Sequence, residues 1–181
     1  AAHFLWAADR LAALGYDEVN LNLGCPSGTV VAKKKGSGFL SVPEQLDAFL
    51  DEVFAHAPLK ISLKTRLGRH ETAEFPALLD IFNRYPIHQL TIHPRIQAEF
   101  YRGTPHLDLF SYAVQHSRAP LCYNGDLFSV QNVQDFTARF PQIDTLMCGR
   151  GALANPALFG ALRGEKSPEK TQFRAFHEEL Y

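Results

Sequence analysis

Cys25 is the residue whose surroundings best suit it to chemistry. It follows the run Asn20-Leu21-Asn22-Leu23 and stands between Gly24 and Pro26. A strand entering such a turn delivers its side chain to the mouth of a sheet, not to the core. A thiol of ordinary pKa, about 8.5, stays mostly protonated at neutral pH and can act as an acid. No His or Lys within a few residues is placed to ionise it, so the pattern of an activated nucleophile is missing. The competing reading is a small buried thiol. Four later segments repeat the arrangement, with polar groups where apolar runs end: Lys64-Thr65-Arg66, His93-Pro94-Arg95, Asn124-Gly125-Asp126 and Gly149-Arg150-Gly151. Polar residues at the C-terminal ends of successive strands point to one shared site on a β/α barrel.

Each candidate has a plainer alternative. A lysine ending an apolar strand inside a barrel is costly without a partner, which favours a site role for Lys64. The alternative for Lys64 and Arg66 is a pair of solvated surface charges, and Arg95 is a candidate for binding a substrate phosphate or base. His93 occupies the same strand-end place as Lys64. The plainer reading of Asn22 is an amide that satisfies main-chain groups at its strand end. The glycines of 124–126 and 149–151 would let main-chain N–H groups approach a phosphate, with Arg150 offering a bidentate fork. Asp126 would repel a phosphate, so capping of the following helix is the alternative there. Lys33, Lys34 and Lys35 could draw an RNA backbone or be solvated, and Tyr101 and Arg102 could serve RNA or belong to an ordinary loop.

Positioning such residues requires alternating elements. Apolar spacing and stop signals predict helices at 4–14, 43–55, 72–83, 107–116, 129–140 and 155–162. Strands are expected at 18–23, 59–64, 89–93, 120–123 and 143–148, with a long Gly-rich loop at 24–38. Ser41 and Ser129 are candidate N-caps. This alternation gives α/β architecture with a parallel sheet. About five strands are visible where a closed TIM-type (β/α)8 barrel needs eight. A doubly wound sheet would carry GxGxxG after its first strand, and none is present. The expectation is the later strands of a barrel over 1–162, then a linker and the start of a helical domain over 163–181. An open half-barrel of this kind would expose sheet edges and apolar surface and would self-associate in isolation.

Composition sets the outer bounds. The chain has 181 residues, 46% of them hydrophobic, and a formal net charge of −1. No global basic field exists, so nucleic acid would have to be drawn by a local patch or another domain. No apolar run approaches the roughly 20 residues of a membrane span. Three cysteines make no disulfide framework and no CxxC pair, and free thiols fit a cytoplasmic location. Cys122 and Cys148 read as buried strand thiols, and no metal site is expected. The start at Ala1 lacks Met and any signal pattern, as a piece of a longer protein would.

With these motifs in hand, the chain resembles the tRNA-dihydrouridine synthases, a flavin-dependent family. The resemblance is carried by NLNLGCPS at 20–27, KKKGSGFL at 33–40, SLKTRLG at 62–68, TIHPR at 91–95, YNGD at 123–126 and MCGRGALANP at 147–156. Their order and spacing, more than any one of them, make the similarity specific. It implies an FMN-binding β/α barrel followed by a helical domain, reducing particular uridines of tRNA with NADPH as electron donor. It also implies that Cys25 is the proton donor. Lys64, His93, Asn124, Gly125, Asp126, Gly149 and Arg150 would hold the cofactor, and Asn22, Arg66 and Arg95 the substrate. Two alternatives stand beside it: a flavin barrel acting on a free pyrimidine, like dihydroorotate dehydrogenase, and a non-catalytic RNA- or flavin-binding module.

Overall fold

The computed structural model describes residues 1–166 and 169–180. The chain divides into two compact units, one of residues 1–125 with 145–147, the other of 126–144 with 148–181. The first unit holds five parallel strands: β1 (Glu18–Asn22), β2 (Lys60–Arg66), β3 (Leu90–His93), β4 (Leu121–Tyr123) and β5 (Thr145–Leu146). They lie in the sheet in chain order, each paired with the next. A doubly wound sheet reverses its strand order at a switch point. The unbroken order here is that of consecutive strands of a β/α barrel, as the sequence indicated.

Register decides what each face carries. Asn22 is opposite Lys64, Lys64 opposite Thr91, and Thr91 opposite Cys122. In-register neighbours of a parallel sheet share a face, and alternation puts Arg66 and His93 on that face one step further along. One face therefore carries Glu18, Asn20, Asn22, Ser62, Lys64, Arg66, Thr91 and His93. The other carries Ile61, Leu63, Leu90, Ile92 and Tyr123, all buried. Helices cover this second face: Phe110 of α5 (Leu107–His116) meets Tyr123 edge-on, with ring centroids 5.0 Å apart. The first face is thus polar, so the apolar surface expected of an open half-barrel does not lie there.

The helices of this unit are amphipathic at the expected spacing. In α3 (Pro43–His56), Leu46, Leu50 and Val53 are buried, and in α4 (Phe75–Phe82), Phe75, Leu78, Leu79 and Phe82. The helices α1 (Ala2–Ala13), α3, α4 and α5 pack side by side in that order. The long loop is more ordered than expected: it contains α2 (Gly28–Val31) and a 3-10 turn, Gly36–Ser41. Ser41 does not cap α3. Val42 stands at that position, and the Ser41 hydroxyl donates back to the Gly38 carbonyl at 2.9 Å.

The second unit contains α6 (Val130–Arg139), α7 (Arg150–Ala154), α8 (Leu158–Leu162) and α9 (Lys170–Leu180), with α8 packed on both α6 and α7. Ser129 caps α6, its hydroxyl accepting from the Asn132 N–H at 3.1 Å. The helix expected at 155–162 is the shorter α8, starting at Leu158, and α7 before it was not expected. Asn155 precedes Pro156 and is extended, which ends α7, and its side chain accepts from the Ala157 N–H at 3.1 Å to start the next turn. The last strand is two residues long rather than 143–148, although the Met147 N–H still reaches the Tyr123 carbonyl at 2.8 Å. Cys122 is buried, whereas Cys148 lies beyond the shortened strand and is only half-buried. Ser167 and Pro168 of the expected linker, and Tyr181, lie outside the described residues. No helix among the described residues is long and apolar enough to cross a membrane, and none of their His, Cys, Asp and Glu side chains form a group able to hold a metal.

The loop that follows β1 leaves no room at Gly38, where a Cβ would sit 2.5 Å from the Val31 carbonyl oxygen and 2.8 Å from its Cα. Both neighbours are main chain, so Gly38→Ala forces a backbone shift and destabilises the protein by about 1 to 3 kcal/mol. Gly28, with nothing near its missing Cβ and an ordinary backbone, is the control. In urea melts Gly28→Ala leaves the midpoint unchanged or raises it, while Gly38→Ala lowers it.

Candidate active site

The turn after β1 is built on main-chain hydrogen bonds that fix Cys25. Asn22 Oδ1 accepts from the Gly24 N–H at 2.9 Å, so the plainer role foreseen for Asn22 is filled by one end of its amide. Its Nδ2 makes no hydrogen bond to the described residues, and the side chain is exposed. The Cys25 carbonyl accepts twice from Ser37, from its N–H at 3.0 Å and from its hydroxyl at 2.8 Å. Gly36, at φ +53°, passes so close that a Cβ there would lie 2.8 Å from the same carbonyl. The thiol is half-exposed beside this clasp. Ser37 was not foreseen; the sequence shows it only as a small residue between two glycines.

Lys64 lies mid-row on the polar face, between Asn22 and Thr91. Its ammonium has no hydrogen bond or ion pair among the described residues. Burial pushes its pKa below the ordinary lysine value, and the nearby Arg66 charge pushes it the same way, with a smaller opposing pull from Cys122. Thr91 is fully buried and its hydroxyl has no partner. An unpartnered cation beside an orphaned buried hydroxyl is the environment of a group that meets a ligand. Thr91 was overlooked, although its place two residues before His93 puts both on one face.

The reading of Arg66 as a solvated surface charge does not hold, and Arg95 is likewise out of water. Both are buried. Arg66 donates from Nε to the Gly24 carbonyl at 3.0 Å and from Nη1 to the Ile96 carbonyl at 3.1 Å, and its guanidinium lies 5.3 Å from the centre of the Tyr101 ring. Burial lowers the pKa of Arg66; Tyr101 opposes the shift and Arg95 adds to it. Arg95 donates from Nε to the Arg102 carbonyl at 3.0 Å and from Nη2 to that of Gly103 at 2.5 Å. Burial is why the surface-charge reading fails: a guanidinium out of water must fill its donors locally, and main-chain carbonyls of nearby loops do so. His93 is buried at the end of β3, with its ring 5.9 Å from that of Tyr101. Tyr101 therefore lies near both Arg66 and His93.

Asn124 and Gly125 follow β4 in the same unit. The Asn124 amide donates to the Met147 carbonyl at 2.8 Å, tying the ends of β4 and β5 together. Asp126, Gly149 and Arg150 belong to the second unit. There Arg150 Nη2 meets Asp126 Oδ1 at 2.5 Å, and the guanidinium lies 5.2 Å from the centre of the Phe128 ring. Asp126 has φ +45° and does not cap α6, a role that Ser129 fills. Lys33, Lys34 and Lys35 are all exposed.

A family model for dihydrouridine synthases matches residues 1–180. The chain belongs to the dihydrouridine synthase family. Among its relatives is a probable tRNA-dihydrouridine synthase of Rhizobium leguminosarum, 28% identical over 182 residues, covering 99% of this chain and 57% of the relative. A probable tRNA-dihydrouridine synthase 1 of Synechocystis is 30% identical over 174 residues, covering 91% and 48%. A probable tRNA-dihydrouridine synthase of Staphylococcus aureus strain Mu50 is 32% identical over 167 residues, covering 89% and 48%. The chain spans about half the length of the curated relatives it matches.

The buried position of Lys64 carries a pH signature. Its folded pKa lies below the unfolded value, so the unfolded chain binds more protons over the interval between them and stability rises with pH there. The cost of burying the charged ammonium is present at neutral pH and relieved as the pH climbs toward the ordinary lysine value of 10.5. Lys64→Met therefore raises the melting temperature of the ligand-free protein at pH 7, and the gain shrinks toward pH 10. A gain that stays constant across that range contradicts this account of Lys64.

Proposed function

We propose that this chain is the part of an FMN- and NADPH-dependent tRNA-dihydrouridine synthase that carries the proton donor, acting on tRNA in the cytoplasm. The single observation that carries the reading is the polar row beside the Cys25 turn, with the Lys64 ammonium unpartnered and the Thr91 hydroxyl orphaned. These two groups fit a polar, electron-rich cofactor better than they fit an empty sheet face. Residues 1–162 would be barrel, and 163–181 the linker and opening of a helical domain.

Lys64 and His93 would hold the flavin ring. Asn124, Gly125, Gly149 and Arg150 would hold its phosphate. Arg150 already has Asp126 as its counter-ion, so Asp126 would hold the guanidinium in place or yield it to the phosphate. Asn22 would offer its Nδ2 to the uracil, since its Oδ1 is engaged by Gly24. Arg66 would shape the mouth of the site by holding the Gly24 and Ile96 carbonyls. Lys33, Lys34 and Lys35 are cations available to RNA phosphates. Bound FMN, once reduced by NADPH, would supply the hydride that saturates C6 of the uracil. The Cys25 thiol would deliver its proton to C5, completing the addition of two hydrogens across the double bond, and would regain a proton from solvent. The clasp of Ser37 on the Cys25 carbonyl would keep that thiol fixed while leaving its Sγ accessible.

The test uses the full-length protein with NADPH and unmodified tRNA, read by mass spectrometry for uridines that have gained two hydrogens. A gain at a defined position is expected. NADPH oxidation without a gain would point to another flavin substrate, such as a free pyrimidine. In the same assay Cys25→Ala lowers the rate by about 10²- to 10⁴-fold, the range of a general acid, with bound flavin unchanged. Full activity in Cys25→Ala removes the thiol from the chemistry.

A further inference from the structure

We propose that Arg95 is a positioning residue for His93, locking its imidazole in the form protonated at Nδ1. Arg95 is fully buried, and its guanidinium reaches several partners. Two donors go to the Arg102 and Gly103 carbonyls, and Nη1 lies 3.1 Å from His93 Nε2. A guanidinium has only donors and keeps its charge in proteins. His93 Nε2 must therefore be the acceptor in this contact, and a neutral ring that accepts at Nε2 carries its proton on Nδ1. The ring is buried, only 4% exposed, so bulk water is a poor substitute for the arginine. The main chain reinforces the pairing, with the Arg95 N–H donating to the His93 carbonyl at 2.7 Å.

The contact with His93 is not needed to hold the loop that Arg95 supports. That loop has its own anchors: the Glu99 carboxylate accepts from the Ile96 N–H at 2.7 Å and lies 2.7 Å from His106 Nε2, and the His106 N–H donates to the Pro94 carbonyl at 2.8 Å. Contact with His93 is thus a separate task for the guanidinium. Its consequence is that whatever meets Nδ1 must be an acceptor. For the flavin role of His93, on which this consequence rests, the match is a carbonyl oxygen or an unprotonated ring nitrogen, not a ring N–H.

The experiment is nitrogen NMR on the full-length protein with histidine labelled at both ring nitrogens, together with a flavin titration. In the wild type, His93 should show Nε2 unprotonated and Nδ1 protonated; a protonated Nε2 overturns the inference without any variant. In Arg95→Met, the proton is expected to move to Nε2 or to divide between the nitrogens, and flavin affinity to fall by about 10-fold, the scale on which outer partners act. Arg95→Lys, which keeps a donor, should restore the Nδ1 signal. A folded Arg95→Met protein with an unchanged His93 spectrum overturns the inference. If the wild type binds no flavin, the proposed function is what fails, and the spectra alone decide the assignment of the proton.

Discussion

Strand register is the constraint on which the rest depends. Five strands pair in chain order without a shift, and that alone lines up Asn22, Lys64, Thr91 and Cys122 across four strands. The next level along the same face holds Arg66 and His93. No single hydrogen bond could assemble this row, because its members come from segments far apart in the chain. The turns that follow the strands inherit their positions from it. Cys25 stands where it does because Leu23 continues the pairing, donating to the Lys64 carbonyl at 2.7 Å, before Gly24 turns the chain.

Two buried arginines then convert the row into a shaped site. Removing a guanidinium from water is costly, and each compensates with main-chain carbonyls of the loops around it. Arg66 joins the turn after β1 to the turn after β3, and Arg95 folds the loop after β3 back on itself at 102–103. The first charge fastens two loops together, and the second closes one. Tyr101 lies against Arg66 and beside His93, so the loop that the arginines fasten also forms part of the site.

Much of this was legible in the sequence, for a definable reason. Most parallel strands are uniformly apolar, but here one face is polar, and the alternation in Glu18-Val19-Asn20-Leu21-Asn22 and the isolated Lys64 and His93 mark it. Strand order also followed, since each strand is separated from the next by one helix-forming stretch. Burial of the arginines was not legible, because a charge after a strand looks the same whether it faces water or a ring of carbonyls. The Ser37 clasp and the orphaned Thr91 hydroxyl were hidden for the same reason: each depends on what lies opposite in space. The break at Asn155-Pro156 was visible in principle, since the residue before proline resists helix.

Among the described residues the outer strand β1 has only β2 as its neighbour, and its exposed residues are Glu18, Asn20 and Asn22. Ser62 on β2 donates to the Glu18 carboxylate, which fixes the polarity of this margin. Any further strand that extends the sheet here faces a strict requirement. It must arrive in the phase that sets its own hydrophilic side chains beside Asn20 and Asn22. A slip of one residue would turn its apolar set into the polar face and its polar set under the helices. The margin of β1 thus works as a template, selecting by phase as well as by hydrogen bonding which segment may join.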